Sequence, residues 1–563
     1  MVSFLPHVLP PSSAGSGSAP KWSRSTALAF ALTGMVASGL AQTAASQTPA
    51  AASADVPAGS PTDTAPVARF DIFEYRVEGN SVLPAERIER AVYPFLGEKR
   101  SVADVESARL ALEAAYREAG YGTVLVDTPE QRVNEGIVTL QVMQAPVARL
   151  RVVGSRYYSQ GRILDKVPAL AEGQVPNFKA ATEQLATVNR SADRRVTPLL
   201  RPGKAPGTTE VDLTVEDKAP LHSSIELNDK YSPNTSRTRL LASVRYDNLW
   251  QLEHSIGLQV QVSPQDTSEV RVVSGSYNVP VANGLWAFSA IKSDSSTVAG
   301  VGGTSVFGKG NIFGLRRVLL LDGNDSFSHT ATAGADYKSF KETVSVGGKQ
   351  EGFGTPIRYL PLSLAYSATW SEKQGTWQGG IGLTAALRGL ASDEREFADK
   401  RYKAQSNFSI LKLDIARTQN LPNDFSIFAK LEGQVTDQPL ISNEQFVAGG
   451  ADSVRGYLEA TAVGDNALRG SIELRSGNLV AAREGAWLGG LRVHAFIEGA
   501  GLWLKSPLPA QDQRFGLLGT GFGLRLQARQ SASLSLDVGW PLRDVGITRK
   551  GTTRVHVSGV LEF

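Results

Sequence analysis

A closed β-barrel that spans a membrane, preceded by two small α+β units, is the fold this sequence predicts. Strand-length segments of alternating polarity repeat from Pro220 to Phe563, the leading residues read as an export signal, and the stretch between shows a repeated strand-helix-helix-strand-strand pattern. Composition agrees without deciding the matter. An apolar fraction of 42%, 20% charged residues, 55 glycines and a mean hydropathy of -0.14 suit apolar residues that alternate with polar ones instead of forming blocks. The absence of cysteine removes disulfide frameworks, thiolate metal sites and cysteine nucleophiles. A net charge of +3 is too small to point to nucleic acid.

Residues 1–41 read as a signal peptide. Lys21 and Arg24 precede the apolar run Ala27 to Leu40, and Gly39 with Ala41 gives a small-x-small cleavage site. An organelle-targeting helix is the rival, but its basic residues would be distributed along the run. The run is shorter than the roughly 20 residues of a spanning helix, so a membrane form of this chain must cross with strands. Residues 42–69 follow as a Pro/Ala-rich linker that either plugs a pore or hangs free.

The first α+β unit, 70–144, begins with the strand-like Phe70 to Val77 and a turn at Gly79-Asn80. Pro84 opens a short helix carrying Ile88 and Val92. Ser101, with Asp104 three residues on, caps a longer one whose Val105, Ala108, Leu112, Ala115 and Ala119 recur at helical spacing until Gly120. Strands at Thr123 to Val126 and Ile137 to Val142 complete it. The second unit, 145–219, repeats the order from Val147 to Val153 through helices at Ile163 to Leu170 and Phe178 to Val188, a Pro/Gly turn, and the strand Glu210 to Val215. Each is a three-stranded sheet whose open edge can accept an extended peptide; two inert spacers are the plainer alternative.

In the barrel region, 220–563, Ile256, Leu258, Val260 and Val262 alternate with polar or small residues, as do Trp286, Phe288 and Ala290. Ala532, Leu534, Leu536, Val538 and Trp540 alternate with Ser533, Ser535, Asp537 and Gly539, about nine residues with one lipid-facing and one polar face. Backbone groups in lipid must all be paired, so such a sheet closes. The last strand sets Val555, Val557, Gly559, Leu561 and Phe563 on one face.

Chemistry-bearing motifs are sparse. Gly303 to Gly310 approaches a phosphate loop but lacks the Ser or Thr after Lys309, and reads as a glycine-rich loop between strands; Gly519 to Gly523 reads as the start of a strand. Six scattered histidines show neither metal-ligand spacing nor a nucleophile partner. No enzyme activity, cofactor or metal is expected.

Glu444 to Tyr457 (EQFVAGGADSVRGY) is the most informative segment. Its Val454-Arg455-Gly456-Tyr457, preceded by Phe446 and Gly449-Gly450, resembles the lumen loop of two-partner secretion (type V) transporters, the haemolysin and filamentous-haemagglutinin exporters. Similar to that family too are the tandem units, called POTRA domains there, the segments Gly470 to Arg475 (GSIELR) and Asp537 to Leu542 (DVGWPL), and Phe563, which resembles the insertion signal of bacterial outer-membrane barrels.

The resemblance implies an all-β barrel of about 16 antiparallel strands in the bacterial outer membrane, periplasmic POTRA domains, and the VRGY loop folded into the lumen. It also implies a secreted partner exoprotein of the large β-helical adhesin or haemolysin type, and the barrel-assembly machinery as a partner in biogenesis. A closed barrel needs no second copy, so a monomer is expected.

Physically, Gly456 frees the backbone for a tight tip, Tyr457 can pack on the wall, and Arg455 demands a carboxylate. The family's F-x-D-x-G motif resembles Phe496-Ile497-Glu498-Gly499-Ala500, which makes Glu498 the implied charge partner, with Glu for Asp and Ala500 for the final glycine. An arginine bonded only to water and backbone is the alternative. Two other functions compete with export: an outer-membrane assembly factor, which resembles this chain but carries more docking repeats, and a passive porin or adhesin, which needs neither the repeats nor the arginine loop.

Overall fold

The computed structural model describes residues 69–563 except 134, 234, 302–303, 346–351, 481–486, 510 and 529–530. The expected signal peptide and all but the last residue of the linker therefore lie outside the described residues. Two units are present, one ending at Ala219 and one running from Pro220 to Phe563.

The first unit holds two lobes. In the first lobe, Ile137–Met143 is the central strand, parallel to Glu74–Glu78 and antiparallel to Leu125–Asp127. Its Val138, Leu140 and Val142 are buried, and helix Val102–Glu118 turns Val105, Ala108, Leu112 and Tyr116 onto them. Ser101 caps that helix, its N–H donating to the Asp104 carboxylate at 2.8 Å.

The expected first strand is broken at Phe73. Arg69–Ile72 pairs instead with Gly97–Ser101, a strand not read from the sequence. The break lets Ile72 bury against Val105 and Val138 while Tyr75 and Val77 pack towards Leu112 and Tyr116.

In the second lobe Thr209–Asp217 lies between Val147–Val153 and Arg194–Pro202. The last of these runs up to the expected Pro/Gly turn; Pro198 is tolerated because the strand is an edge. Helices Gln160–Asp165 and Phe178–Val188 complete the core around Ile163, Leu170 and Val188. The lobes are joined tightly. Asn177 caps the second helix by accepting from Ala180 N–H at 3.0 Å, and its amide donates to Ala119 O at 3.0 Å. Phe178 N–H bonds Gly120 O at 2.7 Å.

The second unit is a closed barrel. Its strands, numbered in chain order, are β1 Leu221–Asn228, β2 Arg239–Leu249, β3 His254–Val262, β4 Arg271–Val281, β5 Gly284–Val301 and β6 Thr304–Leu320. Next come β7 Phe327–Ser345, β8 in two pieces, Gly352–Tyr359 and Pro361–Glu372, then β9 Gly375–Ala386, β10 Ser409–Asn420 and β11 Ser426–Thr436. The last are β12 Asn466–Arg475, β13 Leu488–Trp503, β14 Arg514–Ala528, β15 Ala532–Pro541 and β16 Arg554–Glu562. Both pieces of β8 pair with β7, one beyond the other, so they count as one strand and the barrel has sixteen. The upper piece lacks β9 on its other side, where helix Glu394–Lys400 covers it and Glu396 accepts the Arg358 N–H at 2.8 Å.

Burial is inverted relative to a soluble sandwich. Leu258, Leu364, Leu413, Ile472 and Phe522 lie exposed on the outer wall, whereas Arg455, Asp465, Glu473, Glu498 and Asp537 are buried inside. That is the pattern of a barrel solvated by lipid. Among the described residues no helix is long and apolar enough to cross a membrane.

In the barrel two readings change. Residues 304–310, expected as a loop, belong to β6, where pairing with β5 continues to Val301–Thr304. Gly519 to Gly523 lies in the middle of β14, not at its start.

Candidate functional site

Residues 437–465 leave the barrel after β11 and return at β12. Within them Phe446–Ala448 pairs with Ala462–Gly464, and this short hairpin carries the intervening segment inward. Gly449 (φ +104), Gly450 (φ +111) and Gly456 (φ +96) take conformations closed to most residues, which lets the segment turn back on the wall.

Arg455, only 3% exposed, ends against the inner faces of β12, β13 and β15. Glu498 accepts three of its N–H groups: the backbone N–H at 2.8 Å, Nε at 3.1 Å and Nη2 at 2.6 Å. Nη2 also bonds Glu473, and Nη1 lies 3.2 Å from Asp537 Oδ1. The guanidinium carbon stands 3.5 Å from the centroid of the Phe496 ring. His494 donates from Nε2 to Asp537 at 2.6 Å beside Nη1, and His556 Nε2 accepts the Gly456 N–H at 3.3 Å.

Alone, Arg455 among three carboxylates would leave two uncompensated charges. Arg475 on Glu473 and Arg525 on Asp537 balance the cluster at three cations and three anions. Such balance is what makes a buried ion cluster tolerable.

Glycines shape the seat. A Cβ on Gly519 would stand 2.2 Å from Arg455 O, and one on Gly539 2.7 Å from Gly456 N. Tyr457 is fully buried; its hydroxyl lies 2.9 Å from Arg543 O and 3.1 Å from Leu518 O. Val454 and Tyr457 pack with Ala500, Leu502 and Leu517, so the alanine that replaces the family's glycine forms part of an apolar floor. Phe563 lies elsewhere, exchanging both backbone bonds with Ser223 at the closure of β16 on β1.

The structure thus brings Val454, Arg455, Gly456, Tyr457, Phe496 and Glu498 to one place. Sequence reasoning missed Glu473, Asp537, His494 and His556. Signals existed: Glu473 and Asp537 sit in GSIELR and DVGWPL, and His494 lies two residues before Phe496 on the same strand face.

A second cluster ties the loop to its neighbours. Asp465, fully buried, receives both Arg401 terminal nitrogens at 2.6 and 2.7 Å, Leu440 N–H at 3.0 Å, Gln445 Nε2 at 3.1 Å and Lys505 N–H at 2.7 Å.

Residues 207–526 match the family model described as haemolysin secretion/activation protein ShlB/FhaC/HecB, more than half of the chain. The protein belongs to this family. Residues 70–145 match the ShlB-type POTRA domain. The chain is similar to the heme/hemopexin transporter protein HuxB of Haemophilus influenzae, 19% identical over 404 residues covering 68% of each chain. It is also similar to the outer membrane transporter CdiB of Dickeya dadantii, 20% identical over 439 residues, 76% of this chain and 75% of the relative. Among solved structures, CdiB from Escherichia coli superposes with a TM-score of 0.61 at 19% identity, covering 90% of this chain and 93% of that one. BamA from Haemophilus ducreyi lacking POTRA domains 1–3 shares the fold, with a TM-score of 0.53 at 13% identity over 88% of this chain and all of the other.

This family member is therefore a two-partner secretion transporter of the outer membrane, with its POTRA domains in the periplasm. The barrel end where β1 begins and β16 finishes is the periplasmic one, and the opposite end, from which residues 437–465 fold inward, is external.

Proposed function

We propose that an unfolded exoprotein adds an extended segment to an open sheet edge of the POTRA lobes, then passes through the barrel lumen when residues 449–457 leave their seat. The observation that carries this reading is the seated loop: inside a closed barrel, Arg455 holds residues 449–457 to the inner wall through non-covalent contacts alone. Such a latch is firm and reversible. The edges on offer are Glu74–Glu78, Leu125–Asp127, Val147–Val153 past Val147, which bonds Gly173 and Gln174, and Arg194–Pro202 past Val196, which bonds the Asn189 amide. In this reading the VRGY residues are the latch, Glu498 its charge partner and Phe496 the platform beneath the guanidinium. Residues 70–144 and 145–219 dock the partner, which is a large β-helical protein whose folding outside supplies direction. Phe563 marks the monomeric barrel for assembly in the membrane, and no catalytic step is involved.

The test is co-expression with the neighbouring exoprotein gene, comparing wild type with Arg455→Ala at equal outer-membrane levels. Export that needs the transporter and falls at least several-fold in the variant supports the reading. Unchanged export in the variant removes the latch from the mechanism.

A second reading, assembly of other barrels into the membrane, draws on one feature. β1 and β16 pair from Asp229–Val557 to Ser223–Phe563, a short junction beside the long ladders elsewhere.

A further inference from the structure

On the outer wall, directly behind the lumen loop's seat, lies a different surface. Odd-numbered residues of β13 face outward, as the exposure of Val493, Ile497 and Trp503 shows, and Gly501 holds one of these outward positions. Register places Gly501 opposite Gly516 and Trp503 opposite Arg514. The Trp503 ring folds over Gly501, where a Cβ would stand 3.0 Å from it, and a groove of about 480 Å³ near the external end of the strands is lined by Gly501, Gly516, Trp503, Leu518, Arg514 and Arg543. A Cβ on Gly516 would stand 2.7 Å from Arg543 Nη1, so this guanidinium lies over the glycine strip on the outward side. Arg514 and Arg543 are both exposed, and neither has an acidic partner among the described residues.

Two exposed guanidinium groups without an acidic partner, at the interface end of a lipid-facing wall where arginine is tolerated, are placed to receive an anion from the adjoining leaflet. Trp503 and Trp540, near the external ends of their strands, stand where aromatic residues mark that interface. The external leaflet is the adjoining lipid, and its characteristic anions are the phosphates of acylated diglucosamine lipids. Guanidinium forks match phosphate oxygens in pairs.

We propose that this groove binds a phosphorylated glycolipid of the external leaflet. Arg514 and Arg543 hold its phosphate, and an acyl chain packs on Leu518 and on the outer face of the Trp503 ring.

The full-length protein in detergent, titrated with lipid A and followed by native mass spectrometry, tests this. Lipid A is expected to bind at least about tenfold more tightly than the same lipid stripped of phosphate, and Arg514→Ala/Arg543→Ala to remove that preference. Arg514→Lys/Arg543→Lys should recover part of it, and heat-dependent gel migration verifies that each variant is a closed barrel. Equal binding of the dephosphorylated lipid overturns the proposal, as does an unchanged preference in the alanine pair. Phosphatidylglycerol binding as tightly overturns the glycolipid assignment, and displacement of lipid A by inorganic phosphate at equal concentration makes this a free-phosphate site instead.

Discussion

At the scale of single residues the question is why the latch is an arginine. Three separate donors, Nε, Nη1 and Nη2, address carboxylates on β13, β15 and β12, and a fourth contact comes from the ring of Phe496. A lysine carries the same charge but its donors radiate from one point, and it has no planar face to stack. Removing one partner from a buried ion cluster costs about 3–5 kcal/mol, since the others keep their desolvation penalty without compensation. Arg455→Lys should therefore leave the loop partly seated and Arg455→Ala should free it. Digestion of intact cells with an added protease measures this: cleavage within 449–461 is expected to rise from wild type to lysine to alanine. Protection of the lysine variant equal to wild type would show that charge alone holds the loop.

At the scale of elements, two predictions separate the external mouth from the docking lobes. Asp465 gathers donors from three segments, 387–408, 437–465 and 504–513, so Arg401 fastens the mouth at a point distinct from Arg455. Arg401→Ala leaves a buried carboxylate short of its charged partner, a change of about 3–5 kcal/mol, and is expected to raise ion conductance in planar bilayers. Conductance identical to wild type would mean the mouth is held by its apolar cluster around Tyr359, Phe397 and Phe408 alone.

In the first lobe, the N–H and hydroxyl of Ser101 donate to Asp104 and hold its carboxyl below the usual carboxylate range. A lowered native value means the unfolded state binds the proton more readily, so this capping contribution is present at neutral pH and disappears as pH falls below about 4 through the native value. Amide exchange in helix Val102–Glu118 should be several-fold faster in Asp104→Asn than in wild type at pH 7, with the difference vanishing in acid. A difference independent of pH would remove charge from the cap.

For the whole molecule, legibility followed periodicity. The alternation of Ala532 to Trp540 and the spacing of Val105, Ala108 and Leu112 were readable because one face of each element meets a uniform environment. The break at Phe73 was not, because it answers to two small cores that only the folded lobe defines. In the candidate site, Arg455 and Glu498 were readable from motifs. His494 and His556 were not, since an inward histidine on a barrel strand looks like any other polar residue of the alternation until the loop arrives. Gly519 and Gly539 likewise acquire meaning only from the Arg455 and Gly456 backbone lying against them.

The same whole-molecule view separates export through the lumen from passage through a parted wall. Ser223 and Phe563 exchange both backbone bonds, and Asp229 N–H reaches Val557 O, so the alternation along the junction makes Asn228 and Ser558 a non-hydrogen-bonded pair. Opposite residues of that kind have Cα atoms about 4.5 Å apart, within disulfide range. The chain contains no cysteine, so Asn228→Cys/Ser558→Cys introduces one defined crosslink and nothing to compete with it. If the exoprotein threads the closed lumen, the oxidised variant should export it at the wild-type rate, because only the loop has to move. Assembly of other barrels through the β1–β16 junction would instead stop on oxidation and return with reductant. Loss of export in the oxidised form alone would show that the barrel must open sideways or widen, and the seated loop would then be a consequence of closure, not its cause.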